Sequence, residues 1–342
     1  MNRGFLFLIV VFFIVALVTA GLSIMIFTDN IHNHEDGFHE FYISTGSSYA
    51  DVEQSFVDQN IVKNIKSFDW VASRMNYPNT VEPGKYIISN SLSNRELIKQ
   101  LRNGYDEVSV KLPITNIDSK EELFEVVSKT IEADTVELDF IFNDKQFLTS
   151  QNLTVDNSWA IVMADTYLFH WDTDGKAFFD RMLSEFKKYW TPERTQKAAA
   201  KGLKPIDCII LGSIIEKEST KKDEYPRIAG VYINRLRDNW PLQADPTVKF
   251  ALNNSEIKRI LNKHLEVDSP YNTYKNTGLP PGPIGLPQKT TIESIINAEN
   301  HEYMYFCANS DFSGYHIFAK SLRDHNKNAK QYQKALNESN IY

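Results

Sequence analysis

Cysteine is nearly absent, with only Cys208 and Cys307 in a chain of 342 residues. Two thiols cannot build a disulfide framework or supply the ligands of a metal cluster. Each lies in an apolar stretch, residues 206–215 and 303–308. Free cysteine in such surroundings behaves as a small hydrophobe, so both are expected to be buried thiols. A basic surplus is also missing. Lys and Arg number 37 against 44 Asp and Glu, for a net charge of −7, which argues against nucleic acid as the partner. No metal and no cofactor is expected, and His32 and His34 read as a solvated pair in a polar stretch. Hydrophobic residues make up 42% of the chain, enough to bury a real core, which excludes global disorder.

Charge is wholly missing from residues 4–27. Roughly 20 apolar residues span a bilayer as a helix, so this run is expected to be a transmembrane anchor. Arg3 precedes it, and Asp29, Glu35 and Asp36 follow. The positive-inside rule then places residues 1–3 in the cytoplasm and everything after Phe27 outside, at the cell (inner) membrane. A cleaved signal peptide is the competing reading, with Val18-Thr19-Ala20 as its site. The apolar run continues to Phe27, beyond the roughly 7–15 residues of a signal h-region, which favours retention. No Cys lies near the run, so a lipid-modified cysteine is excluded there.

Residues 28–37 are polar and read as a short linker. Residues 38–107 read as a small α/β module. Strands are expected at 40–45, ended by Gly46, and at 85–89 after the turn Glu82-Pro83-Gly84. Helices are expected at 49–59, 67–75 and 94–102. Ser93 and Glu96 stand at capping-box spacing before the last of these, and Gly104 lies beyond its end. A second small α/β segment follows at 108–150, with a strand at 108–112 and a helix at 119–131. Residues 151–342 then form the largest part, beginning with helices at 176–189 and at about 192–201. The second of these has Thr191 as N-cap and Pro192 at N1. The fold class is therefore α+β: an apolar helix, a small α/β module, then a mixed α/β domain.

The segment from Pro205, PIDCIILGSIIEKEST, is apolar enough to be a buried helix and ends in two carboxylates, Glu216 and Glu218. Each helical residue advances by about 100°, so the two point about 160° apart. Glu218 continues the stripe of Leu211, Ile214 and Ile215, whereas Glu216 falls with Gly212 and Ser213. A carboxyl against apolar neighbours resists ionisation, which suits a general acid near neutral pH. The same position equally suits a carboxylate that closes the stripe by pairing with Arg227 or Arg235. A second helix is expected at 228–237, with Asn234 polar within it. Asp245-Pro246 reads as an N-cap with Pro at N1. Residues 269–287 hold five Pro and three Gly, so they can be neither helix nor central strand. They form a stiff loop carrying Tyr271, Asn272 and Tyr274, rings and amides of the kind that suit sugars. A hairpin is expected from 303–308 and 314–318, with His316 among apolar residues.

In the order Ile215-Glu216-Lys217-Glu218-Ser219, Val231-Tyr232-Ile233-Asn234-Arg235-Leu236, Leu242-Gln243-Ala244-Asp245-Pro246-Thr247, Tyr271-Asn272-Thr273-Tyr274, Thr277-Gly278-Leu279-Pro280-Pro281-Gly282, and His316 with His325-Asn326, the chain resembles the endolytic murein transglycosylases, the MltG or YceG-like family. Gly46 and Pro83-Gly84-Lys85-Tyr86 resemble that family's LysM-like region. The resemblance implies a lyase of peptidoglycan glycan strands. It would cleave the MurNAc-β-1,4-GlcNAc bond to leave 1,6-anhydroMurNAc ends, terminating nascent strands, with membrane-bound peptidoglycan synthases as partners. It makes Glu218 the catalytic residue and Asn234, Gln243, Asp245, Tyr271, Asn272, Tyr274 and His316 the site lining. A hydrolase pairing Glu218 with Asp245, and a non-catalytic wall-binding scaffold, are the alternatives.

Overall fold

The computed structural model describes residues 3–103, 109–254, 257 and 260–338. The expected Gly104 cap and the Val108 start of a strand lie outside the described residues. Two compact units emerge. The first comprises residues 1–111, 129–133 and 168–174, and the second comprises 112–128, 134–167 and 175–342.

The first unit begins with α1 (Arg3–Phe27), none of whose residues is buried. At 1.5 Å per residue it is about 37 Å long, enough to cross a hydrocarbon layer of about 30 Å. Then come β1 (Phe38–Ile43), α2 (Tyr49–Asp58), α3 (Ile65–Arg74), β2 (Gly84–Ser89) and α4 (Asn94–Asn103). β1 and β2 pair antiparallel, Phe38 opposite Ser89 and Ile43 opposite Gly84. The alternation of each strand sends Phe41, Ile43, Tyr86 and Ile88 into the core. There Phe41 stacks on Phe56 at 4.4 Å, and Phe56 meets Phe68 edge-on at 5.1 Å. Gly46 sits at φ +79°, the left-handed turn that ends the first strand's run. On α2, Val52 and Phe56 are buried and Val57 is exposed.

Residues 28–37 are not a free linker. Ile31 is fully buried and bridges to Val62, and Asp29 bridges to Ser93. Asn30 is buried and donates to Oδ1 of Asn94 at 2.7 Å. Asn94 in turn donates to the Met25 carbonyl at 2.9 Å and to Oγ of Ser67 at 3.0 Å. It thereby satisfies one of the carbonyls left open at the end of α1. Met25 and Ile26 pack against the unit's core, and the Arg95 guanidinium lies 5.8 Å from the Phe27 ring. The apolar helix is thus joined to the module by part-buried contacts. The expected capping box is present: Ser93 N–H and Oγ donate to Glu96 at 3.0 and 2.6 Å.

Residues 108–150 do not stand apart, since the compact units divide them between the two. β3 (Val110–Ile114) pairs with β4 (Asp165–Phe169). The second unit contains α5 (Lys120–Ser128), α6 (Thr135–Asn143), α7 (Lys145–Ser150), α8 (Gly175–Tyr189), α9 (Pro192–Ala200) and α10 (Pro205–Glu218). It continues with α11 (Tyr225–Arg237), α12 (Asp245–Ala251), α13 (Lys289–Ile296), the hairpin of β5 (Tyr305–Ala308) and β6 (His316–Ala319), and α14 (Leu322–Glu338). α10 is its central helix. Every residue from Cys208 to Ile215 is buried, and α9, α11, α12 and α13 all pack on it. Cys208 is buried and Cys307 only half-buried; both are free.

Asn94 is the hub of the junction between α1 and the rest of the first unit, and deleting a buried hydrogen-bonding hub costs about 1–3 kcal/mol. Asn94→Ala is therefore expected to lower the stability of the first unit by about that amount. Urea unfolding of the detergent-solubilised chain measures it. An unchanged midpoint would mean the junction is held by apolar contact alone.

Candidate active site

Glu218 is the last residue of α10, where the helix emerges from the core. Its position there follows from how the rest of the helix is held. Gly212 lets α10 approach the proline-rich loop; a Cβ at this position would come within 3.1 Å of Pro287. Ser213 Oγ donates to the Ile210 carbonyl and accepts from Ile284 N–H at 3.0 Å. Glu216 faces away from Glu218, as the helical phase requires. It accepts from Gln288 N–H at 2.8 Å and from Oγ1 of Thr291, so it braces the start of α13.

Among the described residues the carboxyl of Glu218 receives one hydrogen bond, from Oη of Tyr232 on α11 at 3.0 Å. The arginines that could have neutralised it are engaged elsewhere. Arg227 pairs with Glu299 at 2.8 Å. Arg235 is buried and donates to the carbonyls of Met304 and Leu242, at 2.8 and 2.5 Å. Desolvation therefore dominates, and it pushes the Glu218 pKa up to about 7. The negative charge of Asp245 adds to the rise, while the Tyr232 bond, Arg235 and Lys249 oppose it. A carboxyl poised near neutrality can give a proton and take one back, which is the general acid's requirement.

Asp245 does not cap α12. Ala244 takes the cap position in extended conformation, and Asp245 is the first helical residue. Its exposed carboxylate accepts from Oη of Tyr274 at 2.6 Å. Gln243 is exposed and sits at φ +49°. That conformation is unfavourable for a residue with a Cβ, and such strain concentrates at functional sites. Two bonds to Thr273 hold it, Gln243 N–H to the carbonyl at 3.0 Å and Ala244 N–H to Oγ1 at 3.0 Å. Tyr271 is half-buried and lies 4.8 Å from the Phe250 ring. A cleft of about 610 Å³ is lined by Lys217, Pro246, Lys249, Phe250, Ile284 and Asp118 among others.

Two residues expected in the lining are used otherwise. Asn234 is buried and donates to the carbonyls of His301 and Tyr303 at 2.9 and 3.0 Å, tying α11 to the approach of β5. Asn272 is fully buried and donates to the carbonyls of Leu265 and Val267, both at 2.8 Å. Their amides are consumed by backbone, because an unpaired polar group inside would cost more than it could contribute to a ligand. His316, at the start of β6, binds the buried Glu224 through Nδ1 at 3.0 Å. Sequence reasoning missed Glu224 and Tyr232; Tyr232, at i+14 from Glu218, had only its place in the motif as a signal. Neither that 610 Å³ cleft nor a larger cavity of about 770 Å³, with Asn234, Gly230, Arg237 and Lys201 in its wall, has Glu218, Tyr232 or Asp245 in its lining. The geometry of the carboxyl, not cavity size, locates the candidate site. No group of three or more His, Cys, Asp or Glu among the described residues is placed to hold a metal.

The family model of the YceG-like family matches residues 41–331. The chain is 27% identical over 311 residues to an endolytic murein transglycosylase of Bacillus subtilis, covering 86% of this chain and 85% of that protein. It is 27% identical to an endolytic murein transglycosylase of Streptococcus pneumoniae, covering 85% of this chain and 57% of that longer protein. The crystal structure of a yceG-like protein from Listeria monocytogenes superposes with a TM-score of 0.55 at 26% identity, covering 86% of this chain and 99% of that one.

The raised pKa has a consequence for stability that needs no substrate. The folded-state pKa is about 7 against a reference of 4.5. Ionising Glu218 thus destabilises the fold progressively as pH rises from about 4.5 to 7, and the cost is complete above that. Glu218→Gln cannot ionise. It is expected to be more stable than the parent at pH 8, by on the order of 1–3 kcal/mol, and equal to it near pH 4. Denaturant midpoints across pH measure this; a pH-independent difference would refute the desolvated carboxyl.

Proposed function

Because the chain belongs to the YceG-like family, we propose that it is a lytic transglycosylase that cuts peptidoglycan glycan strands internally, with Glu218 as its one acid and base. The observation that carries this reading is the Glu218 carboxyl, raised to about 7 and held by the Tyr232 hydroxyl at the exit of α10. Protonated Glu218 gives its proton to the glycosidic oxygen between MurNAc and GlcNAc as the C1–O bond breaks. The resulting carboxylate takes the proton of the muramyl C6 hydroxyl, whose oxygen closes on C1. The product is a 1,6-anhydroMurNAc end, and no water is consumed. The negative charge of Asp245 favours the positive charge that develops at C1. Gln243, Tyr271, Tyr274 and His316 contact sugar, and Asn234 and Asn272 act by holding the walls.

The first unit's order of strand, two helices and strand supports a LysM-like role, holding glycan near the membrane. α1 is the anchor, with its N-terminus in the cytoplasm and the chain after Phe27 on the outer side, at the cell (inner) membrane. That location suits an enzyme that terminates nascent strands beside membrane-bound peptidoglycan synthases. A hydrolase pairing Glu218 with Asp245 is the rival, and the two differ in product, since hydrolysis leaves reducing-end muramic acid.

Glu218→Gln is expected to lower kcat on purified glycan strands by at least the roughly 10²–10⁴-fold that general acid–base catalysis supplies. Glu216→Gln keeps the acceptor oxygen that braces α13 and should stay within a few-fold of the parent. Parent activity should fall as pH rises through about 7, because the acid form starts the reaction. Tyr232→Phe removes a bond that favours the carboxylate, so this limb should move to higher pH. Mass spectrometry of the products should find anhydro ends. Full activity in Glu218→Gln, or mainly reducing ends from the parent, would refute the scheme.

A further inference from the structure

Glu224 lies in the short turn between α10 and α11, and only 4% of it is exposed. Its carboxylate gathers three donors. His316 N–H donates to Oε1 at 2.9 Å, His316 Nδ1 to Oε2 at 3.0 Å, and Ser219 Oγ to Oε2 at 3.4 Å. Ser219 directly follows Glu218 and is the C-cap of α10. No Lys or Arg pairs with Glu224 among the described residues; the ring it meets is that of His316. A carboxylate beside Nδ1 fixes the ring proton there. In the neutral ring Nε2 is then an acceptor without a proton. Among the described residues no group bonds Nε2, it is not a buried atom left without a partner, and 14% of the His316 side chain reaches solvent. The ring is held edge-to-face by Phe306 at 5.3 Å, and Phe306 meets Tyr232, the donor to Glu218, at 5.8 Å.

We propose that Glu224 is a positioning residue that fixes His316 as a hydrogen-bond acceptor at the Glu218 end of α10, where Nε2 receives a hydroxyl or acetamido N–H of the glycan. This rests on the transglycosylase reading. The arrangement discriminates by chemistry, because an acceptor of fixed tautomer accommodates a donor and repels another acceptor. Glu224→Gln inverts it. The glutamine oxygen stays with the His316 backbone N–H, its amide faces Nδ1, and the ring proton moves to Nε2.

The test is ¹⁵N NMR of the histidine rings of the full chain in detergent micelles, with the His316 signal assigned by its loss in His316→Gln. The parent is expected to show a neutral ring protonated at Nδ1, and Glu224→Gln one protonated at Nε2. Glu224→Gln and His316→Leu should lose roughly 10–100-fold in kcat/KM on purified glycan strands, the size of a lost buried hydrogen bond. His316→Gln, which can offer an amide oxygen, should retain more activity than His316→Leu. Titration with β-1,4-linked GlcNAc tetramer and glucose tetramer distinguishes the donors. A shift of Nε2 with both assigns a hydroxyl, and a shift with the first alone assigns the acetamido N–H. A parent ring that is charged or protonated at Nε2, no shift with either tetramer, or a tautomer change that leaves kcat/KM intact would each overturn the proposal. A parent that releases no product from glycan strands would defeat the transglycosylase reading instead, while the tautomer is still read on the ring itself.

Discussion

The second unit is organised around one unfavourable fact, a carboxyl placed where its charge is poorly solvated. Glu218 tolerates that place because it is the terminal residue of a helix that is otherwise tightly packed. α10 is buried from Cys208 to Ile215, and its backbone is pinned through Ser213, Glu216 and the close approach at Gly212. A carboxyl on a mobile segment would turn toward water and regain an ordinary pKa. Here the packing holds it where, among the described residues, only Tyr232 donates to it. The electrostatics and the packing are therefore a single arrangement.

Cations in the neighbourhood are kept from undoing it. Arg235 is on α11, three residues beyond Tyr232, and its field does lower the Glu218 pKa. Its donors, however, close on two backbone carbonyls, and desolvation depresses its own pKa. A direct ion pair with Glu218 would hold the carboxylate ionised and remove the acid. Arg227 is likewise held by Glu299. Asp245 works in the opposite sense. Tyr274 steadies it, and its negative charge favours the protonated form of Glu218.

Much of the local structure was legible because it is written in short-range signals. The Ser93–Glu96 box, the Thr191-Pro192 start of α9 and the breakers of residues 269–287 all act within a few residues of themselves. The opposite facing of Glu216 and Glu218 follows from helix phase alone, and the structure gives each a matching environment. Failures came where a distant partner decides. Residues 28–37 look like a linker because Ile31 is a lone apolar residue in a polar stretch; only Val62 and the Asn30–Asn94 pair make it core. Asp245 looks like a cap, but Tyr274, 29 residues away, takes its carboxylate. Asn234 and Asn272 look like ligands, and backbone carbonyls claim them. Glu224 stands in the polar run Lys222-Asp223-Glu224, where nothing marks it as buried.

The buried polar residues around the candidate site share a pattern that explains why composition alone misreads them. Asn234, Arg235 and Asn272 each satisfy backbone carbonyls of irregular chain that no helix or strand partner reaches. A site built on loops leaves many carbonyls open, and each costs free energy unless a donor is brought to it. Long side chains from α11 and from the loop itself are that supply. The polar density near Glu218 is therefore divided by geometry into two sets. Groups whose hydrogen bonds are complete inside the protein fix the walls. Others are not tied to such carbonyls: the carboxyl of Glu218, the exposed side chains of Gln243 and Asp245, and the ring of His316, the groups that the proposed function sets against a sugar. A sequence shows that both sets exist, and only the pairing of each donor with its carbonyl shows which residue belongs to which.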